Sequence, residues 1–530
     1  MKLYKYLLAG GVALSAMFST TSCVGDLNVE PDDPNTITKP TSKADIDALF
    51  SAVYYDLLTG DGLSVSDGGA GSFMRCHFNL QEITTDECFI SDKWNDPGYT
   101  VLNFNTWGND NEWIYAAYSR ENHLAKLASV FIQDLHQYGP EFYSDAEISQ
   151  MDAEARMLRG LANYYLIDLY GRGPWVDENS VTGAVPETCD RATMFERTVA
   201  DIKAHVENLI PAAQQTYGRI SREAGYMLLA KLYLNAEVYT GVAMWQECAD
   251  ALKHVVGTGL SLAPEYKYLF CASNDRYAGN GEIIWTIPQR IGFCETWGGT
   301  TYLTVGAWME ADGDDSPLAL QLKKLNNSGT PWSGLRIRPE LSKALNGDPR
   351  RLLYEGEYQE EIPDLASYKE NSCGYMLIKY TNTTEDDYYN QALIAEEENG
   401  EDVSYNNGTQ VSDTDYPLFR LADAYLMLAE CQLHGVNCNG YDYFNQVRDR
   451  AGLDPIAAPT ASEILKERQC ELYMEGHRRS DLVRFNLYTG TTYLWSWKGG
   501  EYTGTGIDAT RAIYPIPYQY ISTVGQNPGY

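Results

Sequence analysis

Apolar side chains along much of the chain recur at steps of three and four residues, the spacing that places them on one face of an α-helix. The clearest stripe runs from Ile148 to Leu169 behind a capping box formed by Ser144 and Glu147, and it ends at Gly171. The same spacing predicts further helices over about 193–209 (with a second capping signal at Thr193 and Glu196), 221–239, 245–256, 418–433, 441–451 and 462–485. The chain is therefore predicted to be mostly helical.

The middle of the chain has a different pattern. Residues 260–415 are rich in Gly, Asn, Asp, Trp and Tyr and show no long helical periodicity, and residues 60–115 share this character. A short strand is predicted over 282–287. Because binding residues tend to lie on loops that a rigid scaffold carries, we expect this irregular portion to hold the ligand site.

The long helices combine small residues with tyrosines, as in the run 160–165, and they resemble tetratricopeptide-type helical hairpins with irregular spacing. We therefore predict a mostly α fold in which such hairpins form a scaffold and a loop-rich, irregular ligand-binding portion packs on it. Residues 43–530 are expected to form a single body. Its scaffold covers about 43–258 and 415–490, and its loop-rich insertion covers about 260–415.

The first residues have the character of an export signal. A start with two lysines precedes an apolar stretch over 7–18 and a small polar run that ends at Cys23. The stretch is too short to span a bilayer, which takes about 20 apolar residues. Cys23 after small residues resembles the lipobox of bacterial lipoproteins, in which the cysteine is acylated, and the alternative is a plain signal peptide with a coincidental cysteine. We predict a lipoprotein signal peptide at 1–22 and a lipidated, extended leader at 23–42.

The composition argues against some classes of partner and of activity. The chain carries 40 Lys and Arg against 73 Asp and Glu, a net charge of −33, which argues against nucleic acid because that partner needs basic residues to neutralise phosphates. The 11 cysteines include no Cys-x-x-Cys pair, and most are expected to be small buried residues. No zinc-protease pattern, nucleophile elbow or phosphate loop occurs, so the chain is not predicted to be an enzyme.

Several stretches resemble the SusD family of outer-membrane glycan-binding lipoproteins. These stretches are 472–485 (LYMEGHRRSDLVRF, the most specific), 153–171, 415–425, 514–517 and 526–530. Within the family the resemblance goes furthest toward a starch-binding member, through 85–88, 298–303 and 493–500. The resemblance implies a mostly helical fold with four tetratricopeptide-like units. It also implies a partner, a SusC-like TonB-dependent barrel on which the lipoprotein sits as a lid.

Sugar rings present flat C–H faces that aromatic rings match, and the hydroxyls at their rims need polar partners. The resemblance places two aromatic contacts at Trp297 and Trp332, both flanked by Gly, Thr, Pro or Ser. The third aromatic position falls on Ile90, which cannot stack, and Trp94, four residues later, is expected to take over.

The resemblance also carries over polar sugar contacts. These fall on Arg75 and Asn95, with Asp67 as a nearby acid. By contrast, Trp113 and Trp285 lie in regular apolar patterns, so we assign them to the core.

Other charged residues have two readings. Oxygen ligands of the kind that calcium prefers could come from Asn274, Asp275, Asp413 and Asp415. They could hold a structural calcium ion away from the sugar, and the alternative is a solvated acidic loop. No cofactor is required. Arg478 and Arg479 are assigned a structural role beside acids such as Glu475 and Asp481.

The predicted protein is a non-catalytic receptor, lipid-anchored in a Gram-negative outer membrane and facing outward. It would capture an oligosaccharide, with starch-type α-glucan as the nearest match, and deliver it to a SusC-like TonB-dependent transporter. Another glycan such as a fructan or a plant or host polysaccharide stays open, as does a peptide receptor or structural lid. A surface glycoside hydrolase would need two carboxylates about 5–10 Å apart, which no motif singles out.

Overall fold

A computed structural model describes residues 39–58, 71–90, 98–181, 183–307, 332, 334–355, 358–363, 373–386 and 411–530. The predicted signal peptide, Cys23 and most of the leader lie outside these residues. Within the described ranges, no helix combines the length and the apolar character needed to cross a membrane.

Helices dominate the described residues and the strands are short, which confirms the predicted fold class. The α-helices are α1 (Lys43–Tyr55), α2 (Phe73–Phe78), α3 (Tyr99–Asn103), α4 (Glu112–Tyr138), α5 (Asp145–Tyr165), α6 (Arg191–His205), α7 (Arg222–Leu234), α8 (Ala236–Thr240), α9 (Trp245–Leu252), α10 (Thr300–Thr304), α11 (Pro339–Ala344), α12 (Leu421–Leu433), α13 (Gly440–Arg450), α14 (Ala461–Leu472), α15 (Arg478–Arg484) and α16 (Ile521–Val524). The π-helical turns Asn79–Ile83 and Leu166–Tyr170 extend α2 and α5.

The strands pair two by two. They are β1 (Cys88–Ile90), β2 (Arg172–Trp175), β3 (Glu187–Asp190), β4 (Ile283–Ile287), β5 (Leu335–Ile337), β6 (Leu353–Tyr354), β7 (Met376–Leu377) and β8 (Tyr416–Arg420). The antiparallel pairs are β1 with β5, β2 with β3, β4 with β8, and β6 with β7. The strand predicted over 282–287 is confirmed as β4.

The two predicted capping signals have different outcomes. At the start of α5, Ser144 accepts a hydrogen bond from the Glu147 amide, and the Glu147 carboxylate accepts one from the Ser144 amide at 2.8 Å, which confirms the capping box. The signal at Thr193 is wrong because α6 begins earlier. The Thr193 amide donates to the carboxylate of Asp190 at 2.9 Å, so Asp190 is the cap.

Two predicted helices are interrupted. The segment 418–433 begins in β8 and becomes helical only at Leu421, and the segment 462–485 divides into α14 and α15. At the second break Met474 and Gly476 adopt φ angles of 61° and 79°, which end the helix. Apolar residues keep the helical spacing through both breaks, so the sequence pattern did not indicate either break.

Acids from the N-terminal part of the chain hold the break between α14 and α15. The Met474 amide donates to Glu87 Oε2 at 2.8 Å, and the His477 amide donates to Glu82 Oε1 at 2.8 Å. These carboxylates satisfy backbone groups that a continuous helix would have bonded internally. Burial raises the pKa of Glu82 to about 7.

The longest helix in the described ranges, α4, was not predicted. The side chain of Asn111 caps it by accepting hydrogen bonds from the amides of Trp113 and Ile114. The sequence analysis treated 60–115 as irregular, and the helix begins at the end of that stretch. Many polar residues of α4, among them Arg120 and Glu121, are buried, which obscures the apolar stripe.

The helices pack in pairs that resemble tetratricopeptide hairpins, namely α4 with α5, α6 with α7, α7 with α9 and α12 with α13. One large apolar core runs through these pairs and includes Trp113 and Trp285, as predicted. Most described cysteines are buried too, again as predicted.

A network of buried charges joins the C-terminal helices to the loops. The Arg420 guanidinium bonds the carboxylates of Glu282 at 2.5 Å, Glu471 at 2.9 Å and Glu475 at 2.7 Å. Arg450 adds further bonds to Glu282 and Glu471. Although burial acts to raise it, these guanidinium groups hold the pKa of Glu471 well below its usual value. Charges can be buried in this way because each is paired.

Arg478 and Arg479 are buried, which confirms their structural role, but their partners differ from those predicted. Arg478 makes two hydrogen bonds to the carboxylate of Asp86, at 2.7 and 2.8 Å. Arg479 donates to the Ala512 carbonyl and lies 4.5 Å from the centre of the Tyr514 ring. Each arginine therefore joins segments that are distant in sequence.

Candidate glycan-binding site

The structure brings Trp297 and Trp332 together. Their ring centres are 5.8 Å apart and their planes are inclined by 41°. The Trp297 side chain is 37% exposed, and Trp332 is partly buried against the core. The two rings therefore form a short, curved aromatic surface, which we call the platform.

The short helix α10 accounts for this pairing. Trp297 lies three residues before α10, and the Trp332 amide donates to the carbonyl of Val305, the residue after α10, at 2.8 Å. A backbone bond from Gly334 to Gly306, 3.0 Å long, holds the second segment in place. Residues 35 positions apart in sequence thus lie side by side across one helical turn.

Side chains of α10 are anchored in the body of the protein. The Thr300 hydroxyl donates to the carbonyl of Thr414, and Thr301 Oγ1 accepts from the Ser412 amide at 2.9 Å. Tyr302 is fully buried, and its hydroxyl donates to Asn79 Oδ1 at 2.8 Å. The platform therefore rests on a fixed support.

Two aspartates hold the loop that leads to Trp297. Asp415 Oδ1 accepts from the Gln289 amide at 2.6 Å, and Asp413 Oδ1 accepts from the Ile291 amide at 2.7 Å. The hydroxyl of Tyr217 donates to the other carboxylate oxygen of Asp415. Burial raises the pKa of Asp415 to about 7, against the opposing effect of the Gln289 amide.

The predicted calcium ligands are not arranged as a metal site. The Asn274 amide group donates to the carbonyls of Leu269 and Asp415, and its oxygen accepts from the Asp415 amide. Asp413 and Asp415 bind backbone amides instead, while Asp275 is exposed. Across the described ranges, no group of three or more His, Cys, Asp or Glu residues could hold a metal ion. Calcium binding at these four residues stays a prediction.

Arg75 is buried beside Tyr302 of α10 rather than exposed. It is 1% exposed, and its guanidinium carbon lies 4.6 Å from the centre of the Tyr302 ring and 5.1 Å from that of Trp113. This position suits support of α10 through Tyr302. Its assignment as a sugar contact stays a prediction that the observed burial does not favour.

The remaining predicted contacts are Asp67, Trp94 and Asn95, and they lie outside the described residues. Ile90 ends β1, is 1% exposed, and bonds through its backbone to the Asn103 side chain. It belongs to the core and offers no surface to a ligand, so any third aromatic contact must come from another position.

A cavity of about 850 Å³ lies elsewhere, between α4 and the β2–β3 hairpin. Its described lining is mainly valines and small residues, including the exposed Val181 and Val185. Trp175 is the aromatic residue of that lining, and the Arg197 guanidinium carbon lies 5.4 Å from its ring centre. A cavity without an open aromatic face fits a sugar less well than the platform does.

Arg290 and Phe293, on the turn just before the platform, were not among the predicted contacts. Phe293 is 78% exposed, and the Arg290 guanidinium carbon lies 5.2 Å from its ring centre. A signal for them was present, since Arg-Ile-Gly-Phe between a strand and a Trp-Gly-Gly run is the composition of an exposed turn.

A helical scaffold that carries a loop-borne pair of tryptophans, one of them exposed, is an arrangement that suits glycan binding. Residues 321–530 match the family model described as the SusD family. The chain is 29% identical to "Starch-binding protein SusD" of Bacteroides thetaiotaomicron, over 100% of this chain and 99% of that protein. It is 24% identical to "SusD-like protein P25" of Formosa agariphila, over 71% of each chain.

Solved structures give the same fold. A "Laminarin binding SusD-like protein" superimposes with a TM-score of 0.68 at 20% identity, over 92% of this chain and 100% of that one. "Surface glycan-binding protein A" of Bacteroides thetaiotaomicron, in complex with laminarihexaose, gives a TM-score of 0.69 at 19% identity over the same shares. The C-terminal part of the chain thus matches the SusD family, and the whole chain is similar to SusD-like proteins in sequence and fold. The relatives are named as binding proteins, which supports the prediction that the chain is not an enzyme.

Proposed function

We propose that this protein captures starch-type α-glucan oligosaccharides at the cell surface on the Trp297–Trp332 platform. The observation that carries the proposal is the pair of rings 5.8 Å apart, one of them exposed, on an anchored support. The inclination of the rings suits a ligand that curves, because each ring can face a different sugar unit. The full-length similarity to a starch-binding protein favours α-glucan among the glycans.

The proposal includes the partners that the family resemblance implies. Cys23 carries the lipid anchor in the outer membrane, and the body faces outward. The bound oligosaccharide then passes to a SusC-like TonB-dependent transporter. The strongly acidic composition, with 73 Asp and Glu, is consistent with a neutral rather than an anionic glycan as the ligand.

Isothermal titration calorimetry on the body that begins after Cys23 tests the ligand. Maltoheptaose and a cyclic α-glucan are expected to bind, whereas laminarihexaose and a levan-type fructan serve as the competing classes. Binding to one of the competing classes alone would replace α-glucan by that glycan. If none of the four binds, the proposed function is wrong.

Substitution of the platform tests the site. Trp297→Ala and Trp332→Ala are each expected to weaken maltoheptaose binding by about tenfold or more, as for an aromatic residue at the centre of an interface. The matched control is Tyr502→Ala, because Tyr502 is 39% exposed against 37% for Trp297. Unchanged affinity in both tryptophan variants, with circular dichroism showing an intact fold, would remove the platform from the binding site.

A further inference from the structure

The turn that leads to the platform carries an aromatic ring in water. Phe293 is 78% exposed, although removing a ring of this size from water is favourable. A single exposed apolar residue is ordinary on a protein surface. Three features distinguish Phe293 from other exposed apolar residues. They are the backbone that holds it, its neighbour Arg290 and its distance from the platform.

The backbone of the turn is well defined. Cys294 donates to the Arg290 carbonyl at 2.8 Å and Arg290 donates to the Cys294 carbonyl at 3.2 Å, which closes a tight antiparallel turn. Gly292 has a φ of 80°, a conformation that glycine adopts without strain. Asp415 and Asp413 accept hydrogen bonds from the amides of Gln289 and Ile291, which hold the start of this turn in place. Phe293 is therefore presented from a fixed position.

Arg290 differs from the arginines of the interior. Its side chain is exposed and lies over the Phe293 ring, 5.2 Å from the ring centre. Within the part of the chain that the structure describes, the guanidinium group makes neither a hydrogen bond nor an ion pair, whereas Arg420 bonds three carboxylates. Its five N–H donors are thus available to a ligand that has acceptor oxygens.

The turn is close enough to the platform to contact the same ligand. Phe293 and Trp297 are four positions apart in sequence, so their Cα atoms are at most about 14 Å apart. Two rings 5.8 Å apart cover only a short part of an oligosaccharide. A longer chain that extends from Trp297 toward the turn would therefore meet the Phe293 ring and the Arg290 guanidinium.

We infer that Arg290 and Phe293 form an outer subsite, which binds the sugar units of longer oligosaccharides beyond those on the platform. The Phe293 ring packs against the C–H face of a sugar, and the Arg290 guanidinium donates hydrogen bonds to its hydroxyls. This inference rests on the proposed function, because it extends the same site.

Chain-length dependence tests the subsite. Phe293→Ala and Arg290→Ala are expected to weaken maltoheptaose binding by about three- to tenfold, the range of a single aromatic contact, and to leave maltotriose binding unchanged. Phe293→Tyr keeps the ring and is expected to keep the affinity. Tyr518→Ala is the matched control, since Tyr518 is a 60% exposed aromatic residue outside the site. Calorimetry supplies the affinities, and thermal unfolding confirms the fold of each variant.

The outcomes separate this inference from the proposed function. If Trp297→Ala abolishes maltoheptaose binding while Phe293→Ala and Arg290→Ala leave it unchanged, the outer subsite is wrong and the platform stands. An equal loss for maltotriose and maltoheptaose would also overturn the subsite, because it would place Phe293 and Arg290 within the platform. If the wild-type protein binds neither oligosaccharide, both proposals fail together.

Discussion

Two regions of the molecule use arginine and aromatic side chains in opposite ways. Around Arg420, every charged group is buried and paired, and aromatic rings such as Tyr266 and Phe270 enclose the guanidinium. In the turn before the platform, the rings of Phe293 and Trp297 are exposed, and Arg290 has an open guanidinium beside Phe293. The same residue types thus stabilise the fold in one region and are available to a ligand in the other. Burial and pairing, rather than composition, separate the two.

The largest effect is expected from removing Arg420, which lies at the centre of the buried network. Arg420→Ala leaves the carboxylates of Glu282, Glu471 and Glu475 without that cation, and the expected loss in the free energy of unfolding is about 3–5 kcal/mol. Urea denaturation monitored by circular dichroism measures it. Maltoheptaose affinity per folded molecule is expected to stay at the wild-type value.

An exposed ion pair supplies the control. Arg197 bonds Glu187 at 2.8 Å at the surface, and Arg197→Ala is expected to cost at most about 1 kcal/mol. Equal losses for the two arginine variants would contradict a special role for the buried network. A loss of sugar binding in fully folded Arg420→Ala protein would contradict the separation of the two regions.

A smaller, pH-dependent effect is expected at His477. Burial and the neighbouring Lys231 lower the pKa of His477 to about 3, with Asp423 and Asp481 acting in the opposite direction and Arg468 acting with Lys231. Its ordinary pKa is about 6.5, so between pH 6.5 and 3 the unfolded chain binds a proton that the folded chain does not. The free energy of unfolding therefore falls as the pH falls through this window.

His477→Asn removes this proton uptake. Urea titrations at pH 7.5, 6 and 5 are expected to show the wild type losing stability, relative to this variant, as the pH falls. His254→Asn, at the surface, is the control. A constant difference between wild type and His477→Asn over the three pH values would show that His477 does not titrate in this way.

The smallest effect is expected from Asp413, which holds the turn before the platform. Asp413→Ala removes the acceptor of the Ile291 amide, which costs about 1 kcal/mol of stability because water can reach this partly buried group. The loosened turn is expected to lower maltoheptaose affinity by about two- to fivefold. Asp413→Asn keeps an acceptor oxygen and is expected to restore both values. Calorimetry that shows wild-type affinity in Asp413→Ala would mean that the turn needs no anchor.

The sequence predicted helices wherever one apolar face contacts a single core. The stripe behind Ser144 has this property, and α5 starts where its capping box indicates. The prediction failed where tertiary contacts decide the local structure. Residues 418–420 form β8 because β4 pairs with them, and 473–477 leave the helix because Glu82 and Glu87 bind the freed amides. Neither partner is visible in a local window.

The aromatic pair of the candidate site could be predicted, but its support could not. The family resemblance indicated Trp297 and Trp332, which small, turn-forming residues flank, and the structure places them together. Asp413 and Asp415 resembled metal ligands because the sequence does not distinguish an aspartate that binds a cation from one that binds a backbone amide. Arg75 looked like a surface contact, yet Tyr302 and Trp113 cover it. Such differences depend on which segments meet in the folded chain.

The contacts at the break between α14 and α15 determine when this part of the chain can fold during synthesis. Met474, the partner of Glu87, is synthesised 387 residues after it, and Arg478, the partner of Asp86, is synthesised 392 residues after it. Contacts so distant in sequence form late, because the intervening chain must first be brought together. Until residues 474–478 have been made, Glu82, Asp86 and Glu87 lack these partners. The two ends of the described chain are therefore joined at this point only once synthesis is nearly complete.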